Sequence, residues 1–177
     1  GLANADIVLG VEIAWTWRDV LAGRRSLDEV IVQGPGGITL VPGASGVSQM
    51  ANLSEFERHQ LIAIAGQAAE LHDVVVFDCG AGISHNVLSI GSFADTILVV
   101  TTPEPTSVTD AYAMIKAFAQ EQGRSRCTEA AAMGVMVNLA ESRREGRDTY
   151  ERLAGVAARF LHIPVTDYGY ILRDEHV

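Results

Sequence analysis

The sequence has few cysteines and no long apolar run, the features that mark secreted, metal-cluster or membrane-spanning proteins. Its 177 residues include only two cysteines, Cys79 and Cys127, and these form no C-x-x-C pair. Two isolated thiols cannot hold an iron–sulfur cluster or build a disulfide framework, and they fit a reducing cytoplasm. No apolar run approaches the ~20 residues that cross a bilayer, and no signal peptide is visible. We therefore expect a cytoplasmic protein.

Positive charge is also scarce. Thirteen Lys and Arg residues face 22 Asp and Glu, which gives a net charge of −9 and a pI near 4.9. Such a chain as a whole does not attract nucleic acid or anionic lipid, so we expect no general nucleic-acid binding. The five histidines are scattered without the spacing of metal ligands.

Several catalytic and nucleotide-binding motifs are missing. The Gly-Pro-Gly-Gly stretch at 34–37 leads into a strand, whereas a phosphate loop leaves a strand and enters a helix, so it is interpreted as a turn. Residues 43–46 miss the G-x-S-x-G spacing of a nucleophile elbow. No G-x-G-x-x-G turn follows a strand, which argues against a dinucleotide-binding domain. Since the chain begins at Gly1 and not at methionine, we expect a fragment or a trimmed protein.

The sequence does contain an alternation of helices and strands. Capping boxes and apolar stripes predict helices at 16–22, shortly after Ser26, and at 54–71, 106–120 and 149–161. Short apolar runs predict strands at 38–41, 74–77, 96–101, 134–138 and 166–172. This alternation predicts an α/β fold, a doubly wound and mostly parallel sheet within one domain over 1–177.

The most informative stretch is Asp-Val-Val-Val-Phe-Asp-Cys-Gly-Ala-Gly at 73–82. Its apolar run ends on Asp78, and Gly80 and Gly82 follow at once. A carboxylate at such a strand end can hold Mg²⁺ through water, and glycines let backbone amides approach a phosphate. The alternative is an ordinary aspartate that ends a strand and caps the next helix.

Other predicted strands also end in polar residues. The Thr-Thr-Pro-Glu turn at 101–104, Asn138, and the segment of Arg173 and Asp174 would gather at the carboxyl edge of the sheet, where open α/β sheets bind ligands. The Asn138 amide could read a purine edge, because it offers a donor and an acceptor, or it could simply form a turn. The arginines at 143, 144 and 147 are interpreted as a solvated face in preference to a phosphate grip.

Taken together, these segments resemble the MinD/ParA group of deviant-Walker ATPases, and most of all its flagellar-number regulators, the FlhG/FleN/YlxH branch. The resemblance covers nearly the whole chain. Residues 1–6 resemble the tail of the group's first switch, and 73–82 resemble its Walker B strand and second switch. Residues 101–116 are the most specific stretch. Residues 137–138 and 168–174 resemble the adenine-contacting turn and the loop that closes over the base.

The resemblance implies an ATP-dependent dimerising switch that regulates flagellar number or placement, with ATP or ADP and magnesium as cofactors. Asp78 would act through the magnesium water as an outer-sphere ligand. The cofactor-binding residues it implies are Asn4 in the first switch, Gly80 and Gly82 near the phosphates, and Pro103, Glu104, Asn138 and Asp174 around the base. The helix of Asp110 would face the dimer or another partner.

The implied partners are a second copy when ATP is bound, a flagellar signal-recognition-type GTPase, switch-complex proteins, and the inner membrane through a C-terminal helix. That helix and the lysine-rich P-loop are absent from these 177 residues, and Leu172 stands where the group more often has proline. We therefore expect an N-terminally truncated chain that is inactive alone. Alternatives are a division-site or DNA/cargo-partition ATPase of the same group, and a scaffold that no longer binds nucleotide.

Overall fold

The computed structural model describes residues 4–43, 54–124 and 131–174. The chain divides into two compact units, Gly1–Ala81 and Gly82–Val177, and each is described by itself. Residues 1–3 of the proposed first switch, the 44–46 part of the rejected elbow, and Cys127 lie outside the described residues. That residues 1–177 form one domain stays a prediction.

The first unit is built mainly of helices. Its elements are α1 (Ala5–Leu9), α2 (Trp17–Leu21), α3 (Leu27–Val30), α4 (Glu55–Leu71), and the two-residue strands β1 (Val32–Gln33) and β2 (Thr39–Leu40). The strands pair antiparallel, and a 3-10 turn at Pro35–Gly37 joins them, which confirms that 34–37 is a turn. Helix α1 and strand β1 were not foreseen from the sequence.

Local capping defines the helix starts of this unit. The predicted capping boxes are present at α2, α3 and α4. At α4 the Glu57 carboxylate accepts from the Ser54 amide at 2.8 Å, while the Ser54 hydroxyl accepts from the Glu57 amide at 3.2 Å. Because each bond links residues three apart, the sequence alone suffices to specify it.

The predicted strand at 74–77 is wrong. Residues 74–80 have no regular secondary structure, and Val74 and Val76 are 75% and 83% exposed. A β-strand exists only through hydrogen bonds to a neighbour, and within the described residues no segment pairs with this one. The apolar run has the composition of a buried strand without the partner that would bury it.

The second unit contains a parallel sheet. Its elements are α5 (His85–Gly91), β3 (Thr96–Thr101), α6 (Pro105–Arg124), β4 (Ala132–Ala140), α7 (Arg143–Leu161) and β5 (Thr166–Leu172). The strand order is β3-β4-β5, and both pairings are parallel, which confirms the α/β class and its parallel sheet. Helix α5 was not foreseen, and α7 begins six residues before its predicted start.

Helices α6 and α7 cover one face of this sheet. Buried Val99 and Val135 pack with Ile115 of α6 and Leu153 of α7 in one continuous core. Burial alternates along β3, so that Leu98 and Val100 are exposed on the other face. Strand β3 therefore combines a filled core face, an uncovered apolar face and, among the described residues, an unpaired edge.

Two predicted core positions on α7 are also wrong. The apolar stripe of the helix predicted at 149–161 consists of Tyr150, Leu153, Val156, Ala157 and Phe160, which the sequence predicts to point inward. Val156 and Phe160 are nevertheless exposed, and the Arg159 guanidinium lies 5.2 Å from the Phe160 ring centroid. The predicted positions Leu153 and Ala157 are buried, and Gly146 and Thr149 complete the buried stripe. Close packing against the sheet explains the shift, since Gly146 lets Tyr170 of β5 approach the helix backbone.

Candidate functional site

A cleft of about 250 Å³ lies at the carboxyl edge of the β3-β4-β5 sheet. Each strand of this sheet contributes residues at or just after its carboxyl end. The lining residues are Thr102, Pro103, Glu104, Leu139, Glu141, Glu145 and Arg173. Of the predicted strand-end residues, Thr102, Pro103, Glu104 and Arg173 line this cleft, in the position where α/β sheets bind ligands, whereas Asn138 and Asp174 are not among its lining residues.

The loop after β3 is fixed by Ser107 of α6. The Ser107 hydroxyl accepts from the Thr102 amide at 2.9 Å and lies 3.0 Å from the hydroxyl of buried Thr101. Helix α6 then starts at Pro105, whose fixed backbone angle suits a first helical position. The two residues in between, Pro103 and Glu104, are thereby held at the cleft.

The end of β4 contains a residue that the sequence did not single out. Leu139 has φ +57°, a left-handed conformation that costs a non-glycine residue roughly 1–2 kcal/mol. The Asn138 side-chain oxygen accepts from the Leu139 amide at 2.9 Å and holds this conformation. The β4–β5 register shifts between Val137 and Ala140, so the strand turns the 47% exposed Leu139 side chain outward. Leu139 thus reaches the cleft with a left-handed backbone that composition does not encode.

The end of β5 is tied to the end of β4. The Arg173 amide donates to the Ala140 carbonyl at 2.9 Å, and its guanidinium donates to Glu141 at 2.8 Å. The Glu141 amide in turn donates to the Glu145 carboxylate at 2.7 Å, next to the Ser142 cap of α7. One hydrogen-bonded chain thus fixes the far rim of the cleft.

The charge of the cleft selects against anions. Its lining contains the carboxylates of Glu104, Glu141 and Glu145 against one guanidinium, which is already paired. A phosphate chain would be repelled there, whereas an uncharged ring with amino groups would find acceptors. Pro103 and Leu139 supply apolar surface for the faces of such a ring.

A wider groove of about 590 Å³ continues from the cleft along α7. It shares Pro103 and Glu145 with the cleft and also contains Arg144, Asp148 and Arg152. Arg144 pairs with Asp148 at 3.5 Å, and both side chains are largely exposed. This geometry suits the predicted solvated face.

The structure assigns the other predicted site residues to different places. Asn4, at the start of α1, and Asp78 and Gly80, in the irregular segment after α4, belong to the first unit and are surface residues. Gly82 begins the second unit with φ +97°, which a side chain would strain. Exposed Asp174 follows Arg173 at the end of β5.

The residues around Asp78 are compatible with magnesium. Desolvation raises the pKa of the Cys79 thiol, and the neighbouring Asp78 carboxylate raises it further. Across the described ranges no three His, Cys, Asp or Glu side chains cluster as a metal cage. Mg²⁺ needs only one or two carboxylates with waters and substrate phosphates, so an exposed aspartate is sufficient donor chemistry.

Comparisons with known proteins identify relatives of the whole chain. No protein-family model matches it. It is 40% identical over all 177 residues to the antiactivator FleN of Pseudomonas aeruginosa and covers 61% of that protein. It is 34% identical over 158 residues, 89% of this chain, to the flagellum site-determining protein YlxH of Helicobacter pylori and covers 51% of it. These 177 residues thus span less than two thirds of the relatives.

Solved structures give the same fold. The chain superposes with a TM-score of 0.70 on a protein of the Aquifex aeolicus MinC:MinD cell division complex, at 22% identity, covering 99% of this chain and 66% of that one. For the Pyrococcus furiosus cell division ATPase MinD the TM-score is 0.68 at 23% identity, covering 98% and 67%.

Fold and sequence together define the class: the chain is homologous to the MinD/ParA-type ATPases. Within that group it is homologous to FleN and YlxH, as the resemblance found from the sequence predicted. None of the described helices combines the length and apolar character needed to traverse a bilayer.

Proposed function

We propose that the protein containing these residues is an ATP-dependent dimerising switch that regulates flagellar number or placement. The observation that carries this proposal is the 40% identity to FleN along the entire chain, supported by the similarity to YlxH. YlxH is named as a flagellum site-determining protein, whereas the MinD of Synechocystis, 33% identical, aligns over only 115 residues.

The cleft of the second unit is the proposed site of the base. Pro103 and Glu104 line this cleft, whose chemistry favours an uncharged, amine-bearing ring. Asn138, near the end of β4, and Asp174, after β5, would complete the base site. The phosphates would lie outside this acidic cleft. Asp78 would hold magnesium through water, Gly80 and Gly82 would stand near the phosphates, and Asn4 would belong to the first switch.

We further propose that these 177 residues do not hydrolyse ATP by themselves. A phosphoryl-transfer site depends on a phosphate-cradling loop and its lysine for charge stabilisation, and no such motif occurs in this sequence. Labelled ATP with magnesium, added to the isolated chain, is expected to show neither micromolar binding nor turnover.

The proposed partners are those that the resemblance to the same family implies. They are a second copy in the ATP state, a flagellar signal-recognition-type GTPase, switch-complex proteins, and the inner membrane surface through a C-terminal helix. The protein would be cytoplasmic and peripheral at the membrane. Pull-down with each purified candidate, with ATP and with ADP, tests these partners one by one.

A complementation experiment tests the flagellar role. The complete gene is expressed in a Pseudomonas aeruginosa strain that lacks FleN, and flagella per cell are counted by electron microscopy. We expect the parental number to return with the wild-type gene and not with Asp78→Ala at equal protein level. No change in flagellar number, despite a folded protein, contradicts the proposal.

The alternative roles, in division-site placement, in partition or as a scaffold, can each be tested by a separate measurement. Restoration of septum placement in a strain lacking MinD would favour the division-site role, and salt-sensitive DNA binding would favour partition. Failure of the complete protein to bind ATP at all would favour a scaffold.

A further inference from the structure

The loop that leads from β3 into α6 has few backbone amides with which to hold its own shape. Two of its residues, Pro103 and Pro105, have no amide hydrogen. Yet Thr102, Pro103 and Glu104 all line the cleft of about 250 Å³. Side-chain hydrogen bonds therefore have to do here what backbone bonds do in an ordinary turn, which is to fix the loop before a ligand arrives.

Two hydroxyl groups form a closed circuit of hydrogen bonds around the backbone of Thr102. The Thr102 amide donates to the Ser107 hydroxyl at 2.9 Å, and the hydroxyl of buried Thr101 donates to the Thr102 carbonyl at 3.3 Å. The two hydroxyl oxygens lie 3.0 Å apart. Because Thr101 gives its only hydroxyl proton to the carbonyl, Ser107 is the donor between them, so that Ser107 both accepts and donates.

We propose that Ser107 is a positioning residue for the ligand cleft, acting through Thr101 and Thr102 on the loop of Pro103 and Glu104. The inference rests on the proposed function, because the ligand is MgATP, but Ser107 itself is not among the residues that line the cleft. Its hydroxyl fixes the orientation of the Thr102 peptide groups, and the proline rings restrict the residues that follow. A loop already held in place loses little conformational freedom on binding, which favours affinity.

The position of Ser107 distinguishes this role from helix capping. A capping hydroxyl belongs to the residue before a helix and accepts from amides within it. Ser107 is instead the third residue of α6 and accepts from an amide that precedes the helix. Thr109, on the same helix, donates its hydroxyl to the Pro105 carbonyl of that helix at 2.8 Å. Helix α6 thus offers two hydroxyls for comparison, one bonded to the loop and one to the helix itself.

Calorimetric titration of the complete protein with MgATP tests the role. Ser107→Ala and Thr101→Val each break the circuit, and we expect each to weaken binding about fivefold, because the ligand then has to order the loop. The double variant should bind no more weakly than either single variant, since both hydroxyls act in one circuit. Ser107→Thr keeps the hydroxyl and should restore the affinity. Thr109→Ala is the matched control and should leave it unchanged.

Inorganic triphosphate provides a second arm, because it has no base to enter the cleft. Its affinity should be the same in the wild type and in every variant. Thermal unfolding is measured alongside. A loss of affinity that is equal for MgATP and triphosphate and follows a lower melting temperature would show that Ser107 only supports the fold, and it would overturn the inference.

The remaining outcomes also decide the matter. Weaker MgATP binding in both single variants, without further loss in the double variant and with recovery in Ser107→Thr, supports the role of Ser107. Wild-type MgATP affinity in both single variants overturns this inference while the proposed function stands. Absence of MgATP binding in the complete wild-type protein overturns both.

Discussion

Residues 74–77 of the first unit and β3 of the second have nearly the same composition and opposite outcomes. Both are runs of valine and other β-formers; the first is followed by Asp78 and the second ends on Thr101. Strand β3 pairs with β4 over six residues and buries Ile97, Val99 and Thr101. Residues 74–77 form no pairing in the described chain and expose all four side chains. Intrinsic preference for extended backbone therefore selects candidates, and pairing decides which of them becomes a strand.

The same contrast appears in how each unit is stabilised. The first unit relies on bonds between residues close in sequence, such as its three capping boxes. The second unit relies on contacts between distant elements, with Ile115 of α6 and Val135 of β4 fully buried in one core. Substitutions that shorten an apolar side chain should therefore lower the free energy of unfolding much more in the second unit than in the first.

The largest expected difference is between two valine-to-alanine changes. Val135→Ala, at a position with no exposure, should lower the free energy of unfolding by about 2–3 kcal/mol through lost burial and a cavity. Val76→Ala, at 83% exposure, should change it by less than about 0.5 kcal/mol. Urea titration followed by circular dichroism measures both. Equal losses would show that residues 74–77 are buried in solution and would remove the contrast.

This contrast also explains what could be predicted of the fold. Helices α2, α3 and α4 were located by capping boxes, and β3, β4 and β5 by apolar runs, because those signals lie within the elements themselves. The strand at 74–77 was wrong because strand formation depends on a partner elsewhere in the chain. The inward position of Phe160 was wrong because the rotation of α7 is set by the close approach of Tyr170 at Gly146.

The candidate site was predictable to a similar extent. Pro103 and Glu104 were found from a specific motif, and they lie in the cleft. Leu139 and the Arg173–Glu141 bond were missed, because a left-handed leucine and a bond between residues 32 apart leave no local pattern. Whether Asp78, in the first unit, serves the same nucleotide stays a prediction.

A smaller effect should distinguish two helix glycines. A methyl group added at Gly146 of α7 would lie 2.7 Å from Cβ of Tyr170, whereas one added at Gly66 of α4 meets nothing within 4 Å. Gly146→Ala should cost about 1–3 kcal/mol by overpacking. Gly66→Ala should gain up to about 1 kcal/mol in helix propensity. Thermal unfolding of each variant measures the change.

Gly155→Ala, on α7 but in open space, is the control and should behave like Gly66→Ala. A loss there as large as at Gly146 would contradict the packing argument.

The smallest expected effect is a difference in pH response. Hydrogen bonds from the Ser54 hydroxyl and amide lower the pKa of Glu57 in the first unit. Burial, and then Asp167, raise the pKa of Tyr150 in the second, whose hydroxyl donates to the Val165 carbonyl at 2.7 Å. A lowered carboxyl pKa gives stability that is present above the unfolded value of 4.5 and is lost as the pH falls below it. A raised tyrosine pKa gives stability that is present below the unfolded value of 10.0 and is lost as the pH rises above it.

The chain supplies its own probes for this difference. Both tryptophans, Trp15 and Trp17, lie in the first unit, and all four tyrosines, at 112, 150, 168 and 170, lie in the second. Tryptophan emission should therefore change first in acid, and tyrosine absorbance should show late ionisation in alkali. Tyr150→Phe should remove the alkaline dependence and about 1 kcal/mol of stability with the lost hydrogen bond, while Ser54→Ala should reduce the acid dependence. If the alkaline response persists in Tyr150→Phe, that response belongs to another tyrosine. This outcome would break the link between long-range packing and pH response in the second unit.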